Sequence, residues 1–147
     1  MNTEKHFKIL SLNISEKKGE QKHPVESMEL KVDHGIVGDA HAGNWHRQIS
    51  MLANEDVQTM QGKGIELGFG DFAENLTTEG IDLSLLPIGT RLQLGECEVE
   101  VTQIGKECHH GCAVFQIVGD CVMPRKGIFV KVLKGGMINR DSDCYYR

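Results

Sequence analysis

A chain of 147 residues, 39% hydrophobic and 25% charged, is long enough for one domain with a real core and has an ordinary globular composition. Its net charge of -5 and pI near 5.8 argue against a general affinity for nucleic acid, although a local basic patch can still hold a phosphate. No stretch approaches the ~20 apolar residues that span a bilayer, and the N-terminus has no apolar run of signal-peptide length. A cytoplasmic protein is therefore expected, whose five cysteines are thiols unless they bind metal or react.

Taken in chain order, Phe7 to Ile14 is mostly apolar with strand-like alternation, and Ser15 to Pro24 is a polar, Lys/Glu-rich loop. Met28 to Val32 alternates again and predicts a second strand. Gly35 to Asn44 (GIVGDAHAGN) is too glycine-rich to be regular, and Gln48 to Leu52 is a short apolar strand candidate. A short helix is expected next: Asn54 as N-cap, Glu55 and Asp56 in a first turn that favours acids, Val57 and Met60 on the buried side, Gly62 at the end. Thr90 to Ile104 predicts a hairpin whose Gly95-Glu96 loop suits a type II′ turn. That register faces Leu94 with Cys97 and Leu92 with Val99, and pairs Arg91 with Glu100 on the opposite side. Ile128 to Leu133 predicts another strand, and Gly135-Gly136 a turn into Met137-Ile138. Many short strands, frequent glycines and one or a few short helices predict a mainly β barrel, with residues 1–147 as a single domain.

Gly105 to Gly127 breaks this strand pattern, and long irregular segments of that kind are often binding or catalytic. It carries Cys108, His109, His110, Cys112, Cys121, Arg125 and Lys126. A cysteine near its unperturbed pKa of ~8.5 is only a few per cent thiolate at neutral pH; Lys106 or a protonated His109 or His110 could lower that of Cys108, and a fall to roughly 7 is worth about 2 kcal/mol. The resulting thiolate could attack a sulfur donor to form a persulfide, or ligate a soft metal. Three readings compete. Cys108 with His109 and Cys112 forms a reactive centre; Cys108, Cys112 and Cys121 hold a zinc ion; or Cys108 and Cys112 act as attacking and resolving thiols in a redox protein. The bland alternative for any of them is an inert buried thiol, which is the expectation for Cys97, alternating with Val99 and Val101, while Cys144 looks incidental.

Outside that segment, Asp39, His41 and His46 form a second cluster, more simply read as scattered surface groups than as metal ligands. Arg47 beside them, like Arg125 and Lys126, is either a solvated charge or a phosphate ligand, arginine's planar fork being suited to two oxygens. Glu74 and Asn75 fit no helix cap and could orient a ligand or hold two strands together.

These residues fall into a recognisable order. GIVGDAHAG (Gly35 to Gly43), RQISML (Arg47 to Leu52), GDFAENLTTEGIDL (Gly70 to Leu83) and PIGTRLQLGECEVEVTQIGKEC (Pro87 to Cys108) together resemble the MOSC domain, the C-terminal domain of molybdenum cofactor sulfurases. The resemblance runs from about Lys8 to Asp141 and implies a β-barrel. It also implies a role in molybdenum cofactor metabolism, with Cys108, just after the strand VEVTQ, as persulfide carrier or thiolate ligand to molybdenum. Both sulfur transfer and molybdenum-dependent catalysis are compatible with it. Its implied ligand is the pterin cofactor or a precursor, held by Arg47, Glu74, Asn75, Lys106, Arg125 and Lys126. Its implied partners are a cysteine desulfurase as sulfur donor and a molybdoenzyme as acceptor, with neither nucleic acid nor membrane involved. The chain departs from commoner small members in having Glu107 before the cysteine and His109-His110-Gly111-Cys112 after it. It also lacks an expected glycine-aspartate turn near Asp141.

Overall fold

A computed structural model of the chain describes residues 4–17, 22–55, 74–105 and 127–146. Strand β1 (Lys5–Ile14) is followed by β2 (His23–Val25), β3 (Ser27–Lys31), β4 (Gly35–Ile36) and β5 (Ile49–Ala53). Then come β6 (Leu76–Glu79), a 3-10 turn (Leu83–Leu85), β7 (Arg91–Leu94), β8 (Cys97–Ile104), β9 (Ile128–Lys134), β10 (Gly136–Asn139) and β11 (Cys144–Tyr146). Strands β11, β7, β8, β9, β5, β6 and β1 pair in that order, and β11 pairs back with β1, which closes a seven-stranded barrel. Strand β2 extends the free edge of β1, and β10, β3 and β4 form a separate three-stranded sheet. The expected mainly β barrel is what the chain builds.

Register decides which side chains fill it. Cross-strand rows such as Phe7–Cys144–Leu94–Cys97 and Leu12–Leu76–Met51–Ile128 point inward and are buried. Removing such apolar side chains from water stabilises the barrel by roughly 1.5–3 kcal/mol for each fully buried large one. The β7–β8 hairpin has the predicted register, from Arg91 opposite Glu100 to Leu94 opposite Cys97. Gly95 takes φ +59 and Glu96 is not left-handed, the signature of a type II′ turn.

The smaller sheet shares the same core through Met28, Leu30, Ile36 and Ile138. Gly135 is the hinge between β9 and this sheet: a Cβ there would lie 2.5 Å from the Leu30 carbonyl oxygen, so no larger residue fits. The second strand is one residue earlier than expected, since Val32 turns away with Asp33 in the left-handed region. Part of the glycine-rich segment is regular after all, because Gly35 and Ile36 pair with Lys31 and Leu30. Gly136 opens β10 instead of forming a tight turn, β10 pairing with β3 and not with β9. Near Asp141 the turn is made by Asn139, whose Oδ1 accepts from the Asp141 N–H at 2.8 Å, so no glycine is needed. The helix expected from Asn54 lies outside the described residues beyond Glu55.

Candidate functional site

The pairings Leu12–Leu76, Leu76–Met51, Met51–Ile128 and Ile128–Ile104 set the last part of β1, the start of β6, the middle of β5, the start of β9 and the end of β8 side by side along one row of the barrel wall. Gly105 and Gly127, the two stems of the segment that holds Cys108, are joined there by a Gly105 N–H to Gly127 carbonyl bond of 2.6 Å. The outer face of the barrel beside this row is unusually polar and yet buried: Ser11, Asn13, Ser50, Glu74, Asn75 and Thr77 are each at most 6% exposed.

Two bulges produce that wall. In β1, Ile9 faces Thr78 but Ser11 faces Thr77, so Leu10 is the extra residue and the alternation changes parity. Phe7 and Ile9 point inward before the bulge, and Leu12 does so after it, which leaves Ser11 and Asn13 on the outer face. In β8, Val101 faces Val130 and Gln103 faces Phe129, with Thr102 extra. Without that residue Gln103 would point into the apolar barrel; with it, Gln103 joins Phe129 outside.

Asn75 is the central tie of this wall. Its backbone N–H donates to the Ser50 carbonyl at 3.0 Å and its carbonyl accepts from Asn13 N–H at 2.7 Å. Its Oδ1 accepts from the Ser50 N–H at 3.0 Å and Oγ at 3.1 Å, and its Nδ2 donates to the Asn13 carbonyl at 3.1 Å. The carboxamide thus stands in for a peptide group where β1 and β5 diverge at the start of β6. Beside it, Ser11 Oγ donates to Asn13 Oδ1 (2.7 Å), Asn13 Nδ2 to Thr77 Oγ1 (3.2 Å), and Thr77 Oγ1 to Glu74 Oε2 (2.7 Å). Every donor in the run leads towards the Glu74 carboxylate, which is fully buried. Of the two roles open to Asn75 in the sequence, holding strands together is the one its described bonds perform.

Arg47 sits at the rim of the same wall. Its Nε donates to Gln103 Oε1 at 3.0 Å and its guanidinium lies 5.2 Å from the centroid of the Phe129 ring, within cation–π range. His46 Nε2 also reaches Gln103 Oε1, at 3.0 Å, and Gln103 Nε2 donates to the Gly105 carbonyl at 2.7 Å. Thr102 Oγ1 meets the carbonyl oxygens of His46 and Phe129, pinning the same loop to the bulge. Among the described residues the two Nη nitrogens of Arg47 have no hydrogen-bond partner.

Asp39 and His41 belong to a different structure. Lys22 Nζ donates to Asp39 Oδ1 (2.8 Å), Ser15 Oγ (3.3 Å) and His41 Nδ1 (2.9 Å). An ammonium has only donors, so His41 accepts through Nδ1 and carries its proton on Nε2. Burial alone would push the Asp39 carboxyl up, but the Lys22 ammonium and the backbone N–H groups of Ser15 and His41 outweigh it and hold it below the ordinary carboxylate range. This buried ion pair locks the ends of β1 and β2 to the loop before β5. It was not legible in the sequence, where Lys22 stands in a polar run with nothing to mark it.

Lys106, Cys108, His109, Cys112, Cys121, Arg125 and Lys126 lie outside the described residues, as do the zinc and redox pairings drawn from them. Among the described residues no cluster of His, Cys, Asp and Glu could hold a metal ion, and no helix is long and apolar enough to cross a membrane. Cys97 and Cys144 are buried free thiols facing the core, as alternation required for Cys97. Burial, with Glu96 adding to it, pushes Cys97 up to about 11; burial and Asp143 push Cys144 up to about 12. Sequence reasoning missed Gln103, Asn13, Thr77 and Phe129. The signal was present in the parity change from Phe7 and Ile9 to Leu12 and Ile14, which a regular strand cannot accommodate.

The same architecture occurs in solved structures. The YuaD protein from Bacillus subtilis matches with a TM-score of 0.80 at 18% identity, over 99% of this chain and 97% of that one. YiiM from Geobacillus stearothermophilus matches with a TM-score of 0.71 at 19% identity, over 96% of this chain and 75% of that one. YiiM from Escherichia coli gives a TM-score of 0.69 at 17% identity, over 97% and 69%. At such identities these likenesses show the fold alone. No curated protein matches the chain in sequence. The MOSC domain profile matches residues 38–144, from the loop that carries Asp39 to the last strand of the barrel, and the chain therefore belongs to the MOSC domain family.

Proposed function

We propose that this protein serves molybdenum cofactor metabolism, binding the pterin cofactor or carrying sulfur to it through the Cys108 thiolate. The observation that carries the reading is Arg47. Its Nε is spent on Gln103, its face rests on Phe129, and its Nη edge stands unclaimed among the described residues beside the stem of the Cys108 segment. That edge offers parallel N–H groups that match two oxygens of a phosphate, so the described residues fit the phosphate of a pterin cofactor. Arg125 and Lys126, just before the other stem, would add positive charge. Glu74 and Asn75 would serve the site by fixing its wall.

When bound, the cofactor would supply a molybdenum centre that a thiolate can ligate. As a sulfur carrier, Cys108 would attack the outer sulfur of a donor persulfide. A sulfur–sulfur bond forms on Cys108 as the donor's bond breaks, and the donor cysteine leaves as thiolate. The Lys106 ammonium would favour the Cys108 thiolate by its charge, and His109 would take up the proton. A cysteine desulfurase is the donor this chemistry calls for, and a molybdoenzyme the acceptor.

The test is intact mass of the anaerobically purified protein under native and denaturing conditions, for the wild type and Cys108→Ser. A denaturation-stable gain of one sulfur (~32 Da), lost on reduction and absent from the variant, supports the carrier role. A pterin-sized mass seen only in native conditions supports cofactor binding. A Cys108→Ser protein that takes up sulfur and cofactor like the wild type overturns the reading.

A further inference from the structure

The carboxamide of Gln103 is the meeting point of three chain segments. Its Oε1 accepts from Arg47 Nε and faces His46 Nε2, both at 3.0 Å, and its Nε2 donates to the Gly105 carbonyl at 2.7 Å. The Thr102 bulge exists at this one place in β8 and turns Gln103 out of the barrel to reach them. A regular β8 would bury a carboxamide in the apolar interior without partners, which is unfavourable, so the bulge and the residue type agree with each other.

The consequence lies in the arginine. A guanidinium can present an oxyanion with the edge formed by Nε and one Nη, or with the edge formed by both Nη nitrogens. Gln103 occupies Nε and so removes the first choice. The Phe129 ring at 5.2 Å restrains the plane in which the second can swing. We propose that Gln103 is the positioning residue of this site: it fixes Arg47 so that its Nη edge forms a prearranged fork for one oxyanion, phosphate in class. The inference rests on the reading of Arg47 as an anion ligand and goes beyond it by naming the group that sets its geometry.

Inorganic pyrophosphate is a suitable probe, with binding followed by calorimetry alongside thermal melts of each variant. Gln103→Met keeps the side-chain length and removes the hydrogen bonds. It should weaken binding about tenfold, the worth of roughly one well-placed hydrogen bond, because Arg47 must then be ordered on binding. Gln103→Glu keeps an acceptor for Arg47 and His46 but sets a carboxylate against the fork. It should weaken binding further while the melting temperature stays at or above that of Gln103→Met, a divergence that a merely structural role would not produce. Arg47→Met separates the two claims. If it abolishes binding while Gln103→Met and Gln103→Glu bind as the wild type does, the positioning role is overturned and the anion site stands. If Arg47→Met binds unchanged, or the wild type does not bind at all, the anion reading falls and this inference with it.

Discussion

Lys22 Nζ and Asp39 Oδ1 lie 2.8 Å apart with both side chains completely withdrawn from solvent. The pair joins segments on either side of β2, β3 and β4, and its third and fourth members, Ser15 and His41, leave the ammonium no unused donor. Removing one partner of such a pair leaves a buried charge without compensation, which costs about 3–5 kcal/mol. Lys22→Met should lower unfolding free energy by that order at neutral pH. The sign of the pH dependence follows from the depressed Asp39 value. Its contribution is present above the unfolded carboxylate value near ~3.9 and is lost as pH falls through the lower folded value. Urea titrations of the two proteins at neutral and acidic pH should therefore converge in acid. A variant as stable as the wild type at neutral pH would show that the pair does not hold this corner.

Cys97 and Cys144 predict a clear division among the five cysteines. With values pushed up to about 11 and about 12, both are almost wholly thiol at neutral pH, and both face the core. Cys144 Sγ additionally donates to the Ser142 carbonyl at 3.4 Å. The thiolate is the form that alkylates. Iodoacetamide applied to the native protein at pH 8 should leave both unmodified, and a second, isotopically distinct reagent added with denaturant should mark them. Peptide mapping reads the result directly. First-reagent label on either residue would contradict the core placement, whereas label confined to Cys108, Cys112 and Cys121 is the expected pattern.

The parts of the fold legible in the sequence are those in which one physical signal dominates. The β7–β8 hairpin could be aligned residue by residue because apolar pairing, charge pairing and a glycine turn all chose the same register. Cys97 could be assigned to the core by alternation alone. The bulges at Leu10 and Thr102 could not be placed, because a parity change says that a residue is extra but not on which edge the partner compensates. Asn75 was singled out for its neighbours in the ENLT run, but its bonds to Ser50 and Asn13 span 25 and 62 positions of sequence. Local reasoning has no access to such distances. The same limit hid Gln103, whose meaning depends on Arg47 lying 56 positions earlier.

Asn75 provides the sharpest test of how the wall is built. Asn75→Ala would leave its own backbone bonds to Ser50 and Asn13 in place and remove only those of the carboxamide. Ser50 N–H and the Asn13 carbonyl would then be buried without those partners, at about 1–3 kcal/mol for each group left unsatisfied. Asn75→Asp keeps the acceptor towards Ser50 but sets an oxygen against the Asn13 carbonyl and adds a charge beside buried Glu74. It should therefore be the more damaging of the two despite its closer shape, with a larger fall in denaturant midpoint at neutral pH that lessens as the new carboxylate is protonated. If Asn75→Asp proves more stable than Asn75→Ala at neutral pH, the amide's donation to β1 is not what holds the two strands at this end. The tie would then rest on the backbone bonds of Asn75 alone.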